Sequence, residues 1–118
     1  MRDHRKLRSF QLADELAIAV YAATVKFPRT EIFGLTAQMR KAAVSIPSNI
    51  VEGCARTSEA DYLRFLNIAF ASTKELGYQS SLAAKLRYVG GTEHTRLEAQ
   101  CDETARVLAG LIRSYESR

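Results

Sequence analysis

Six basic side chains are the residues of this sequence whose type and grouping suggest a binding chemistry. They form two groups along the chain: Arg5, Lys6 and Arg8, then Arg40, Lys41 and Arg56. Residues 1 to 8 hold four basic residues against one acidic residue, a net charge of +3, and residues 35 to 57 hold three against one, a net charge of +2. Because lysine and arginine neutralise phosphates, we predict that these six residues bind nucleic acid. A solvated, disordered terminus is the alternative interpretation of the first group.

No group of residues has the composition of an active site. The histidines His4 and His94 are far apart in the sequence, and neither completes the Glu-x-x-His pair that helical bundles use to hold metal ions. The Gly90-Gly91 pair lacks the lysine and the hydroxyl residue of a phosphate-binding loop. Glu52 lies four residues before Arg56, a spacing more typical of a surface ion pair than of a catalytic acid. We therefore predict no enzyme activity, no cofactor and no metal.

Length and composition predict one globular domain. The chain has 118 residues, of which 47% are hydrophobic and 25% charged, so we expect a single domain over residues 1–118 with a short basic arm at residues 1–8. No apolar run approaches the ~20 residues that span a bilayer, which favours a cytoplasmic protein that does not enter a membrane. The cysteines, Cys54 and Cys101, lack the spacing of a zinc site or a redox motif, and we expect two reduced, buried thiols.

Apolar residues recur at intervals of three and four along most of the chain, which is the period of helices. The pattern predicts four helices, at residues 9–26, 35–56, 58–88 and 92–115, with Ser58 capping the third and Gly90-Gly91 ending it. Short connections between long helices make neighbours antiparallel. The predicted fold class is therefore all-α, an up-down-up-down antiparallel four-helix bundle.

Pro47 lies in the middle of the second predicted helix. The apolar stripe keeps its phase across this proline, so we predict one continuous helix that is kinked at Pro47. Ser45 and Ser48 are expected to bond the carbonyl groups that the proline leaves free. The apolar stripe of the first helix is wide, which predicts that the protein is not a monomer.

The segment at residues 35–53, LTAQMRKAAVSIPSNIVEG, is followed by Arg56 and by Tyr-Leu-Arg-Phe-Leu at residues 62–66. It resembles the four-helix proteins encoded in intervening sequences of bacterial 23S ribosomal RNA genes, the S23-like family. The resemblance implies a four-helix subunit and a ring-like homopentamer. That family includes the accessory variability protein of diversity-generating retroelements, which binds nucleic acid and a reverse transcriptase. Lys41 replaces the second arginine that is usual in the family.

Two functions follow as hypotheses. The first is a non-enzymatic oligomeric subunit that binds RNA or DNA through the six basic residues. Five copies of a chain with a net charge of +4 would together carry about +20 and repeat the same basic residues around a ring. The alternative is a scaffold or adaptor that docks another protein, such as an enzyme acting on nucleic acid. The sequence leaves open the physiological partner and the choice between RNA and DNA.

Overall fold

The computed structural model describes residues 2–117, and all regular secondary structure within them is helical, with no β-strand. The four main helices are α1 (Arg8–Thr24), α2 (Leu35–Cys54), α3 (Glu59–Lys85) and α4 (Gly91–Glu116). Short 3-10 turns at His4–Lys6 and Arg29–Glu31 precede α1 and α2. The prediction of four helices is confirmed. None of the helices in the described part of the chain is long and apolar enough to cross a membrane.

Each helix packs against two others, and the largest contact is between α2 and α3. The Ser45 and Ser72 hydroxyls lie 2.9 Å apart across this pair. Towards the end of α2, Gly53 packs against Tyr62 and Phe65 near the start of α3. Residue numbers therefore rise along α2 as they fall along α3, so these two helices are antiparallel. Together the helices enclose one core, whose largest fully buried side chains include Tyr62, Leu16, Met39, Ile46, Ile50, Leu66, Leu76 and Leu108.

The ends of α3 show one confirmed prediction and one correction. The Ser58 hydroxyl accepts a hydrogen bond from the Asp61 backbone N–H at 3.1 Å, so the predicted cap is confirmed. The helix ends at Lys85, before the Gly90-Gly91 pair that we predicted would end it. Arg87 adopts a left-handed conformation with φ of 65°, and the next residue donates its N–H to the Ala83 carbonyl at 2.9 Å. This bond closes a Schellman motif, in which an arginine occupies the position that usually holds glycine.

α2 continues through Pro47 without a break, as predicted, but Ser45 has a different role from the one we expected. The Asn49 side-chain amide donates to the Ser45 carbonyl at 2.7 Å and to its hydroxyl at 2.9 Å. The same hydroxyl contacts Ser72 of α3, so it joins two helices. Ser48 is exposed on the surface of α2.

Both thiols are buried, as the sequence indicated. Cys54 is 1% exposed and Cys101 is 4% exposed, and neither forms a disulfide. Burial raises the pKa of the Cys54 thiol, and it raises the pKa of Cys101 to about 12, with a smaller contribution from Asp102 and Glu98.

Two glycine substitutions should change stability in opposite directions. A β-carbon at Gly53 would lie 3.0 Å from the Phe65 β-carbon and 3.3 Å from the Tyr62 carbonyl oxygen, so Gly53→Ala should destabilise the fold by about 1–3 kcal/mol. A β-carbon at Gly77 would meet nothing within 4 Å, so Gly77→Ala should stabilise α3 by about 0.5–1 kcal/mol. Urea denaturation followed by circular dichroism measures both. A stabilising shift in Gly53→Ala would contradict the close approach of α2 and α3 there, and a destabilising shift in Gly77→Ala would contradict the open space around that residue.

Thiol reactivity tests the burial of the cysteines. A protonated thiol that solvent cannot reach reacts slowly with disulfide reagents, because the thiolate is the nucleophile. Ellman's reagent should therefore label neither Cys54 nor Cys101 in the folded protein at neutral pH, and it should label both in concentrated guanidinium chloride. Rapid labelling of either thiol before unfolding would show that the core opens near that residue.

Candidate nucleic-acid interface

The first predicted basic group lies in a folded segment. Residues His4–Lys6 form a 3-10 turn, and the Asp3 side chain accepts the Arg5 backbone N–H at 3.1 Å. The Arg5 guanidinium donates to both carboxylate oxygens of Asp3, at 3.0 and 3.1 Å. These bonds lower the pKa of Asp3 and stabilise its charged form. Arg5 therefore already contacts an anion within its own segment.

Arg2 anchors this segment to the end of the bundle. Its guanidinium carbon lies 3.9 Å from the centre of the Tyr62 ring and 5.6 Å from that of Tyr115, within the range of cation–π attraction. Its backbone N–H donates to the Cys54 carbonyl at the end of α2, at 3.3 Å. In this structure the described part of the arm is thus packed, which differs from the solvated terminus we considered. Arg2 was missed as an anchor, because the sequence does not reveal that Tyr62 is next to it.

Two more of the predicted cations contact carboxylates. Arg8, the first residue of α1, bonds to Glu103 of α4 at 3.3 Å. Arg56 lies 3.8 Å from Glu52, so the predicted ion pair is confirmed, and its guanidinium also lies over an aromatic ring of α3. Lys6 is exposed and makes no ion pair within residues 2–117. Of the group near the amino terminus, Lys6 is the cation that is most available to a phosphate.

Arg40 and Lys41 face different sides of α2, because successive residues of a helix are rotated by about 100°. Arg40 faces α1, where its Nε–H donates to the Thr24 hydroxyl at 2.8 Å. Lys41 lines a groove between α2 and α3, together with Ser72 and Glu75. Thirteen residues separate Lys41 from the end of α2 at Cys54, a distance of about 20 Å along the helix. The structure therefore separates Arg40 and Lys41 from the first basic group, whereas Arg56 lies just beyond the end of α2, where Arg2 anchors the arm.

The end of the bundle opposite the basic arm carries cations and apolar groups that sequence reasoning missed. Phe33 is 95% exposed in the loop before α2, and this loop also carries Arg29. Glu31 fixes the loop, since its carboxylate accepts the Leu35 N–H at 3.0 Å and the Tyr88 hydroxyl at 2.8 Å. The basic and apolar residues of this loop can be read from the sequence, but nothing in their pattern indicates that their side chains remain exposed.

His94 has partners that our sequence reasoning missed. Its Nδ1 lies 3.3 Å from the Ser80 hydroxyl, and its Nε2 lies 3.9 Å from a carboxylate oxygen of Glu98. The spacing of four residues between His94 and Glu98 was a readable signal for this contact. A serine, a histidine and a carboxylate in this order could suggest nucleophilic catalysis, but Ser80 is 1% exposed and cannot meet a substrate. Within residues 2–117, no three metal-binding side chains cluster.

Comparison with known proteins identifies the family. The sequence matches the family described as 23S rRNA-intervening sequence protein over residues 5–110. The fold is similar to the crystal structure of a protein of unknown function from the S23 ribosomal protein family of Bacteroides thetaiotaomicron, with a TM-score of 0.83. The two chains are 22% identical over 89% of this chain and 95% of the other. No curated protein matches the sequence. The chain belongs to the 23S rRNA-intervening sequence protein family, as the motif at residues 35–53 indicated.

Proposed function

We propose that the protein is a non-enzymatic subunit that assembles with copies of itself and binds the phosphate backbone of nucleic acid. The observation that carries the proposal is that three of the six predicted cations, Lys6, Arg40 and Lys41, form no ion pair with a carboxylate within residues 2–117. Cations without an internal counter-ion attract phosphates and release the counter-ions that these phosphates hold. Membership of a family linked to ribosomal RNA genes is consistent with an RNA ligand.

The cations that have internal partners can also contribute. The side chains of Arg5, Arg8 and Arg56 are 78%, 63% and 43% exposed, so water screens their ion pairs. Exposed pairs of this kind stabilise a fold only slightly, so a phosphate can replace the carboxylate. These three residues therefore extend the proposed interface without being its strongest contacts.

Self-assembly is supported by an apolar stripe on the outer face of α1. Ile18 and Tyr21 lie one helical turn apart and are 65% and 44% exposed. Apolar side chains that line up on a surface are typical of a protein contact. The family resemblance implies a ring-like homopentamer, and a kink of α2 at Pro47 that shapes the subunit contact is part of this proposal. Assembly would place several copies of each weak basic group on one particle and so increase the avidity.

A second function, a scaffold that docks another protein, is favoured by Phe33. This side chain is almost fully exposed on a loop that Glu31 holds in place. An exposed aromatic side chain on a loop that hydrogen bonds hold in place is typical of a protein interface. A scaffold of this kind would bind its partner with weak salt dependence, whereas phosphate contacts weaken strongly as salt rises.

The assembly state should depend on α1. Light scattering of the wild-type protein at micromolar concentration should give about five times the subunit mass of 13.2 kDa. Ile18→Glu should reduce the mass, because it places a charge in the apolar contact. Tyr78→Glu is the matched control, since Tyr78 is also 65% exposed but lies on α3. A monomeric wild-type protein, or equal effects of both variants, would contradict assembly through α1.

Nucleic-acid binding should depend on the basic group near the amino terminus. Replacing Arg5, Lys6 and Arg8 together by alanine should weaken binding of RNA and DNA of any sequence. It should also flatten the slope of log affinity against log salt by roughly 0.7–0.9 per lost phosphate contact. Fluorescence anisotropy with labelled oligonucleotides measures both quantities.

The matched control for this triple variant lies on α4. Replacing Arg96, Arg106 and Arg113 by alanine removes the same charge from exposed positions that make no ion pair within residues 2–117. The control should have a smaller effect on affinity and slope, because its three arginines are spread over about 25 Å of α4, whereas Arg5, Lys6 and Arg8 lie in one short segment. Melting temperature and mass must stay unchanged in both variants. If the wild-type protein binds no oligonucleotide at ~50 mM salt, where phosphate contacts are least screened, the nucleic-acid function is wrong and the scaffold is favoured.

A further inference from the structure

A cleft between the end of α1 and the start of α2 contains two guanidinium groups that no carboxylate neutralises within residues 2–117. Arg29 and Arg40 both line this cleft, which has a volume of about 290 Å³. Glu31 is the acidic residue closest to them in sequence, but its carboxylate accepts hydrogen bonds from Leu35 and Tyr88 and forms no ion pair with either arginine. The two arginines can therefore attract an anion from outside the chain.

Arg40 is held in a fixed position by its neighbours. Its Nε–H donates to the Thr24 hydroxyl at 2.8 Å, and that hydroxyl in turn donates to the Val20 carbonyl at 2.8 Å. Its guanidinium carbon lies 4.7 Å from the centre of the Tyr21 ring. Thr24 is 2% exposed, so this support is part of the core. The two terminal nitrogens make no hydrogen bond with residues 2–117, and they form the planar fork that suits a phosphate.

The remainder of the cleft wall is largely apolar. Val25 and Ile32 line it and are 73% and 56% exposed, and Pro28 and Phe27 lie between them in the sequence. A phosphate ion alone would make no favourable contact with these apolar side chains. A nucleotide would use both parts, since its phosphate is anionic and the flat faces of its base are apolar.

We propose that this cleft binds one nucleotide unit, with its phosphate on Arg40 and Arg29 and its base against Val25 and Ile32. The inference rests on the proposed function and names a specific place for one of its contacts. A paired base is stacked inside a duplex, so the unit comes from a single strand or from a free nucleoside monophosphate. Arg29 was not among the predicted binding residues, and it joins Arg40 here only because the loop folds back across the end of α1.

Substitution of the two arginines tests the cleft. The probes are labelled oligouridylate and oligothymidylate of about ten nucleotides, within the length that a single-strand site covers. Arg40→Gln and Arg29→Ala should each weaken binding at least about tenfold, because each loses charged hydrogen bonds to phosphate. Arg40→Lys keeps the charge but loses the fork, and it should bind with intermediate affinity. Arg106→Ala, on the far side of the bundle, is the control of equal charge and should change the affinity far less.

Competition experiments identify the source of the nucleotide. If free nucleotides are ligands, uridine monophosphate should displace the labelled oligonucleotide at a lower concentration than inorganic phosphate does. Calorimetry should then also give uridine monophosphate the higher affinity. If only the oligonucleotide binds, and binds in an Arg40-dependent manner, the ligand is a nucleotide of a single strand. An oligomer of the same length without bases should bind more weakly than oligothymidylate, because it lacks the group that contacts Val25 and Ile32.

The outcomes separate this inference from the proposed function. If the wild-type protein binds oligonucleotides and the Arg40 and Arg29 variants bind as the control does, the cleft assignment is wrong and the function stands. If no oligonucleotide binds, the proposed function is wrong. The cleft assignment then stands only if the protein binds uridine monophosphate and Arg40→Gln weakens that binding. Equal binding of the oligomer without bases overturns the nucleotide assignment. Light scattering should give Arg40→Gln the same mass as the wild-type protein, so that a loss of binding is not a loss of assembly.

Discussion

The antiparallel packing of α2 against α3 is the constraint on which the positions of the functional side chains depend. Gly53 allows the two backbones to approach closely near one end, and the Ser45 and Ser72 hydroxyls join the helices near the middle. This contact fixes which side of α2 faces α3 and, because residues are about 100° apart, which side faces α1. Arg40 is therefore directed towards α1, and Lys41 lies in the groove shared with α3.

The charges of the chain are less available than their number suggests. Carboxylates from the same segment or from a neighbouring helix lie against Arg5, Arg8 and Arg56. What remains within residues 2–117 is a set of unpaired cations distributed over the whole bundle, each of which would bind a phosphate only weakly. This distribution suits a protein that gains affinity by repetition in an assembly, since several weak contacts on one particle act together. It does not suit a single subunit with one strong nucleic-acid groove.

The exposed apolar groups are concentrated on a different part of the surface. Ile18, Tyr21 and Val25 follow the outer face of α1, and Ile32 and Phe33 follow in the next loop. The loop is rigid because Glu31 bonds both to the start of α2 and to Tyr88. The proposed assembly and the proposed ligand binding would thus use neighbouring surfaces, with the Arg29 and Arg40 cleft next to the apolar face of α1.

The sequence by itself determined the four helices, the cap at Ser58, the continuity of α2 through Pro47, the buried thiols and the family. Helical period, capping and cysteine burial depend on residues within one or two turns or on residue type, so they can be read locally. Only the tertiary structure decided that Arg8 contacts Glu103, that Arg2 contacts Tyr62 and that Arg29 and Arg40 line the same cleft. These arrangements join elements that are separate in the sequence, and which groups meet there depends on how the helices pack and how the loops fold back.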